Sequence, residues 1–375
     1  MAQPNIAIGV TVPPKPPLGS LRQLMFAARL LRLDSVLIWD HIQDFFPTAL
    51  WTKDFTWMAS QNASPHEFFE FQVTLGWLAA RAGRVRIGVA ATEPIRRHPV
   101  VIAQAMLTLA HMTKRRPILA IGAGERENIE PYGLDFRRGV SRLEEALQII
   151  QRCFTTTGPI DFSGEFFRLE HGRFDLTVSP KKRPEIWVAG IGPRMLQLTG
   201  RYGDGWLPVG MMPPEEYATK LEAVRAAARE AGRDPAAITP AIQSFLVVAP
   251  TEEEVRAMLQ TKIVRYFGVL APAELWKRVG YQHPLGDGFR GFFDFVPERF
   301  SRADLEEMIS MVPTELASQG LIWGTPEQAI AQLRAYVEAG VRHFVISPAS
   351  AMISRRAMLD TIRALRTIGK ALRSG

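Results

Sequence analysis

Eight short apolar runs, separated by helical patterns or long turns, constrain this chain more than any other feature. They are IAIGVTV (6–12), SVLIWD (35–40), RVRIGVAAT (84–92), PILAIGAG (117–124), EIWVAG (185–190), DGWLPVG (204–210), IQSFLVVAP (242–250) and HFVISPA (343–349). Most are nearly continuous in apolar residues, as parallel strands covered on both faces are. Helices fit between them. SLRQLMFAARLLR follows Gly19 with Ser20 as its N-cap, PVVIAQAMLTLAHM has Pro99 at its first position, and capping boxes at Thr251–Glu254 and Thr325–Gln328 open two late helices. A last amphipathic segment, SRRAMLDTIRALRTIGKAL, follows the eighth strand, as closure of a ring requires. The expected fold is α/β, one (β/α)8 TIM barrel over residues 1–375, with a doubly wound open sheet as the alternative.

Three stretches interrupt the repeat, as insertions after strands two, four and seven. Residues 43–75 are rich in aromatics (Phe45, Phe46, Trp51, Phe55, Trp57, Phe68, Phe69, Phe71), residues 157–183 read as a β-hairpin, and residues 270–312 contain YQHPLGDGFRGFFDFVPERF. So many rings argue against disorder. Either they pack over the barrel, or some wall an apolar substrate cavity. The candidates for that wall are Phe45, Phe46, Trp51 and Trp57 from the first loop, with Phe289, Phe292, Phe293 and Phe295 from the last.

Inventory excludes several chemistries. The single cysteine, Cys153, rules out an internal disulfide and any multi-cysteine metal site, and reads as a buried helix residue. Seven histidines without HxH or HExxH argue against a barrel metallohydrolase or a zincin, and no metal is expected. There is no GxSxG elbow and no GxxxxGK[ST] loop. The net charge of +7 is scattered, with its densest run at Lys181–Arg183, so small anions are favoured over a nucleic-acid face. No apolar run reaches membrane-spanning length, and the start, MAQPNIAIGVTVPP, lacks the basic and greasy regions of a secretory signal, so the cytoplasm is expected.

Barrel enzymes carry their chemistry at the C-terminal ends of strands. There the second strand offers Asp40-His41, the third Ala90-Ala91-Thr92, the fourth Gly-Ala-Gly-Glu125 with Asn128 one turn on, and the fifth AGIGPRML. Asp40 beside His41 suits an imidazole held in one tautomer as a general acid, or else a turn cap next to a surface histidine. Glu125 follows a Gly-x-Gly turn that admits close backbone approach, or simply begins a solvated helix. The free amides of GIGPRML suit a phosphate, or form an ordinary strand-to-helix turn. Asp40 and Glu125 are also a possible glycosidase-like carboxylate pair, which makes a barrel hydrolase a further alternative.

Taken together, SVLIWDH, RIGVAAT with HPVVIAQAMLTL, ILAIGAGERENIEPYG and RPEIWVAGIGPRMLQLTGRYGDGWLP resemble the bacterial-luciferase-like superfamily. Within it they resemble the branch that uses the deazaflavin coenzyme F420, and there the phthiodiolone dimycocerosate ketoreductase type. The resemblance spans nearly the whole chain. It implies an insertion-bearing barrel, often dimeric, that transfers a hydride between the cofactor at its C-terminal mouth and a carbonyl or alcohol carbon. FMN with dioxygen, a monooxygenase chemistry of the same superfamily, is the alternative. It implies catalytic roles for His41, Glu125 and Asp40, and cofactor contacts at Asp40, Ala90, Ala91, Thr92, Asn128, Gly190, Gly192, Pro193, Met195 and Leu196. A non-proline cis peptide is implied near Val89-Ala90-Ala91. Two departures bear on the substrate. Phe45 stands where the sugar-phosphate branch has Trp, and PVGMMPPEE lacks the basic residues that branch uses. A hydrophobic, lipid-like substrate is therefore expected.

Overall fold

The computed structural model describes residues 6–210 and 212–374. Its strands are β1 (Ala7–Val12), β2 (Ser35–Ile38), β3 (Arg86–Thr92), β4 (Ile118–Ile121), β5 (Gly158–Ser163), β6 (Arg168–Phe174), β7 (Glu185–Val188), β8 (Gly205–Trp206), β9 (Thr239–Val248), β10 (Ile322–Gly324) and β11 (His343–Ser347). Strands β1, β2, β3, β4, β7, β8, β9 and β11 pair in parallel around a closed ring. The β8–β9 pairing, Gly205 opposite Thr239, leaves no free edge and excludes the open sheet. The fold is the expected (β/α)8 barrel. β5 and β6 form the expected hairpin. The three-residue β10 adds to the far end of β9 outside the ring, and was too short to be read from the sequence. Several sequence runs overshoot their strands at the C-terminal end, because the residues after the last ladder bond turn outward to form the mouth.

Inside the ring, Leu37, Ala90, Ile118, Ala120, Trp187, Leu207, Ala241 and Val345 form a packed apolar cluster. Its base is closed by polar groups that satisfy one another. The Trp187 indole donates to Glu185 (3.0 Å), Arg86 pairs with Glu185 (2.7 Å), and Ser35 Oγ bonds His343 Nε2 (2.8 Å). Burial pushes the His343 pKa down to about 4, so this ring is neutral and edge-on to Trp187 (5.0 Å, 82°). The larger core lies between strands and surrounding helices.

Helix starts follow local chemistry, with two corrections. The first helix, Leu18–Leu30, begins earlier than read: extended Pro17 is the N-cap, and Ser20 lies inside the first turn. Pro99 does open its helix, capped by His98. Thr325 and Gln328 make a reciprocal capping box. Thr251 caps Glu254 N, but Glu254 reaches out to Arg356 (2.5 Å) instead of closing the box. Cys153 is buried in the helix Gly139–Thr155, and burial pushes its thiol up to about 11. Among the described residues no helix is long and apolar enough to cross a membrane.

The first and last interruptions meet over the barrel mouth. Phe45, Phe46, Trp51 and Phe55 pack with Phe245, Tyr266, Phe267 and Phe295 in a second core. The last stretch is partly helical, with Ala273–Arg278 and Arg302–Met311 inside it.

The barrel interior yields a prediction about β8. A Cβ on Gly205 would lie 2.5 Å from Trp187 Cδ1. Overpacking of this kind costs roughly 1–3 kcal/mol. Gly205→Ala should lower the urea midpoint accordingly, and Trp187→Leu in the same chain should recover part of the loss. Equal midpoints for Gly205→Ala and wild type would refute this packing.

Candidate active site

Strand ends β2, β3, β4 and β7 converge on one cleft lined by Trp39, Asp40, His41, Ala90, Ala91, Thr92, Gly122, Glu125, Asn128 and Gly190, among others. The Ala90–Ala91 peptide is cis, at the position the family resemblance implied, and the β3–β4 register shifts between Val89 and Thr92.

Asp40 is buried, and its Oδ2 gathers three partners. Thr92 Oγ1 donates to Oδ2 (2.6 Å), and the guanidinium groups of Arg97 (2.7 Å) and Arg96 (3.0 Å) pair with the same oxygen. Arg96 also pairs with Glu93 (2.5 Å) and donates to the Asp40 carbonyl (2.7 Å). This corrects the sequence reading that Asp40 orients the neighbouring imidazole. Its partners are the top of β3 and the loop after it.

His41 is held by other groups. Nε2 lies 3.0 Å from Glu125 Oε2, and Nδ1 lies 3.2 Å from the Gln43 carbonyl and 3.5 Å from Glu127 Oε1. The ring stacks on Phe68 at 5.6 Å. Its loop is pinned by Asn128, whose Oδ1 accepts from Ile42 N (2.7 Å) and Gln43 N (3.1 Å). Asn128 therefore lines the cleft, but its carbonyl oxygen serves the fold. Burial opposes the imidazolium charge. The charge and hydrogen bond of Glu125, with the charge of Asp44, outweigh burial and Arg96, and raise the His41 pKa above 6.5. One donor atom from each of His41, Glu125 and Glu127 lies within 4.8 Å of the others. Both ring nitrogens already face protein oxygens, Nε2 that of Glu125 and Nδ1 that of Gln43. Sequence reasoning missed Glu127, Arg96 and Arg97. The doubled arginine just after Thr92 was the legible signal; Glu127 had none.

Ala90, Ala91, Gly122, Ala123, Gly124 and Gly190 give part of the cleft a lining of small residues, with Leu207, Val209 and Gln243 also lining it. Beyond it the helix Pro193–Tyr202 begins with Gly192 as N-cap and Pro193 next, and a Cβ on Gly192 would meet nothing within 4 Å. Leu196 N already donates to Gly192 O (3.0 Å), which leaves the Arg194 and Met195 amides without helical partners. The side chains of Met195 and Leu196 are buried in the core, so those residues have only backbone to offer a ligand. Lys220, not singled out from sequence, brings its amine to 3.5 Å from the Ile191 carbonyl.

Of the eight aromatics expected to wall the substrate pocket, Phe45 and Phe292 line the cleft. Phe46 and Trp51 instead belong to the second core, and Trp57 donates to the Ala351 carbonyl (2.9 Å) away from the cleft. Phe293 also lines it, whereas Phe289 and Phe295 pack in the second core. The wall is completed by Trp39, Phe245 and Phe267, whose approach depends on strand and helix placement that no local pattern announces.

The luciferase-like monooxygenase family profile matches residues 50–343. A phthiodiolone/phenolphthiodiolone dimycocerosates ketoreductase of Mycobacterium tuberculosis is 36% identical over 361 residues, covering 96% of this chain and 94% of that protein. An F420-dependent glucose-6-phosphate dehydrogenase of Nakamurella multipartita is 28% identical over 334 residues, covering 87% of this chain and 86% of that protein. Among solved structures, an F420-dependent secondary alcohol dehydrogenase in complex with an F420-acetone adduct has a TM-score of 0.76 at 20% identity, covering 98% of this chain and 99% of that one. The coenzyme F420 dependent tetrahydromethanopterin reductase of Methanopyrus kandleri has a TM-score of 0.73 at 19% identity, covering 98% of both chains.

Proposed function

The chain belongs to the luciferase-like monooxygenase family and is an oxidoreductase, and from that premise we propose that it uses the deazaflavin coenzyme F420 to transfer a hydride between cofactor and the carbonyl or alcohol carbon of a hydrophobic, lipid-like substrate. The observation that carries this reading is the His41–Glu125 contact at the edge of a cleft lined in part by alanine and glycine at the ends of β3, β4 and β7. Those small residues leave room for a flat ring, and the amides of Arg194 and Met195, with Lys220 nearby, fit a phosphate. When bound, the deazaflavin supplies or accepts the hydride.

The protein's own part is proton handling, orientation and exclusion of water. In the reduction direction His41, cationic beside Glu125, gives its Nε2 proton to the developing alkoxide oxygen. Glu125, partly exposed in the cleft, exchanges protons with solvent and reloads the imidazole. Thr92, Arg96 and Arg97 hold Asp40 still, which ties the β2 and β3 ends together at the cleft. Phe45, Phe245, Phe267, Phe292 and Phe293 offer an apolar wall. The arginines nearest it are committed to Asp40, Glu93 and Glu70, which disfavours a sugar phosphate.

A second copy of the chain is the partner this reading adds. Val73, Val101 and Met112 are exposed and line one shallow groove between the helices Phe71–Ala82 and Pro99–Met112. Phe26 and Leu30 are exposed on the helix Leu18–Leu30, which packs beside the first of these. Apolar surface of this kind on neighbouring helices marks a contact face.

Titration by absorbance should give micromolar or tighter binding of coenzyme F420 and much weaker binding of FMN. His41→Ala should keep that affinity and lose about 10²–10⁴-fold in kcat, the size of a general-acid contribution. Tight FMN binding without deazaflavin affinity would move the reading to a monooxygenase. Across a series of ketones of rising chain length, kcat/KM should climb, since each well-buried ring contributes roughly 1.5–3 kcal/mol. A flat series, or faster turnover of small phosphorylated sugars, would refute the lipid-like substrate. Light scattering should return twice the chain mass, and Val73→Asp should halve it; a single-chain mass for the unaltered protein excludes the dimer.

A further inference from the structure

The cleft has two unlike halves. The ends of β2, β3, β4 and β7, with the loops after them, carry its charged groups and its small residues. The half supplied by the chain from β8 onward is apolar, with Leu207, Val209, Phe245, Phe267 and Phe292 among its lining residues. Gln243 is the one polar side chain in that half among the described residues.

Gln243 sits in the middle of β9. Successive residues of a strand point to opposite faces, so Ala241, Gln243 and Phe245 share one face. Ala241 packs inside the ring, and Phe245 lines the cleft. Gln243 therefore stands where the barrel core gives way to the cleft. From Pro240 to Val248 it is the one residue of the strand that is not fully buried. β9 is paired on both sides, with β8 and β11, so the opening beside Gln243 is the cleft itself.

Its carboxamide has more bonding capacity than the fold uses. The group offers two N–H donors and an acceptor oxygen. Nε2 donates to the hydroxyl of buried Ser347 on β11 (3.3 Å), while the second N–H and Oε1 have no partner among the described residues. A leucine or methionine here would extend the apolar cluster that contains Ala241 and Leu207 and leave no amide unpaired.

We propose that Gln243 is a specificity-determining residue whose carboxamide receives a neutral hydroxyl, carried by the substrate away from its reacting carbon. The inference rests on the reading of the cleft as the site of a hydrophobic ketone or alcohol. A hydroxyl fits because it both accepts from an N–H and donates to an amide oxygen. A charged group does not fit, since no charged side chain lines this half to compensate it. A few placed polar groups in an apolar wall fix the orientation of a ligand. Gln243 does so from β9, while the reacting carbon meets His41 on the other side of the cleft.

The test is equilibrium binding, measured by calorimetry without cofactor. The ligands are straight-chain 2-alkanones and the same ketones with a hydroxyl at successive carbons. Against a wholly apolar wall an added hydroxyl weakens binding, because it gives up water and gains no partner. Here one hydroxyl position should instead tighten binding about threefold or more over the parent ketone, the size of one net hydrogen bond. Gln243→Met keeps the side-chain length and removes the amide. It should reverse the order for that pair, leaving the hydroxyketone the weaker ligand. If Gln243→Met does not fold, Gln243→Asn, which draws the amide back by one carbon, should abolish the preference. A hydroxyl that tightens binding at no position in the unaltered protein overturns the proposal, as does a preference that survives in the folded variant. Failure of every ketone to bind overturns it too. No turnover is measured, so absence of ketone reduction with coenzyme F420 would refute the proposed reaction and leave a hydroxyl preference at Gln243 standing.

Discussion

The upper end of the barrel depends on a buried charge and the groups that answer it. Asp40 and the Arg96 side chain are both shielded from water, and each needs the other. Removing one partner of such a pair leaves an uncompensated charge, at a cost of about 3–5 kcal/mol. Here the pair also carries geometry. Asp40 stands just past β2, Thr92 ends β3, and Arg96, Arg97 and Glu93 come from the loop after β3. Their mutual bonds tie two neighbouring strand ends together. Asn128 does the same between the β2 and β4 ends by accepting two backbone amides. With both ties in place His41 has one position available, against Glu125.

Above that framework sits a second apolar core distinct from the barrel's own. It arises because the two aromatic-rich excursions cannot leave their rings in water. Most of those rings face one another, and a few are left over to line the cleft. The same packing that stabilises the cap therefore shapes the wall. Phe45 illustrates the division of labour. It contacts Phe46 (4.6 Å) and Phe267 (6.3 Å) within the cap and still lines the cleft.

Much of this was legible residue by residue. Continuous apolar runs with intervening helices implied parallel strands, and the final amphipathic helix implied closure. Pro99 and the Thr325–Gln328 pair marked helix starts correctly because capping is local chemistry. Ser20 misled, because Pro17 already provides an extended residue before the first turn. His41 and Glu125 were identifiable at strand ends, and the cleft holds both. The error about Asp40 had a clear origin. Adjacency in sequence suggested a bonded pair, but successive residues leaving a strand point in opposite directions, so Asp40 turned toward β3 while His41 turned toward β4.

Sequence alone determined the barrel, its strand ends and the residue types available there, since these follow from periodicity and from which side chains exist. Tertiary structure decided who touches whom. It placed Glu127 behind His41, committed Asp40 to two arginines, and sent Phe46, Trp51 and Trp57 into packing while bringing Phe245 and Phe267 to the cleft. Those pairings join residues far apart in the chain, and their energies depend on burial and distance, which exist only once the ring has closed.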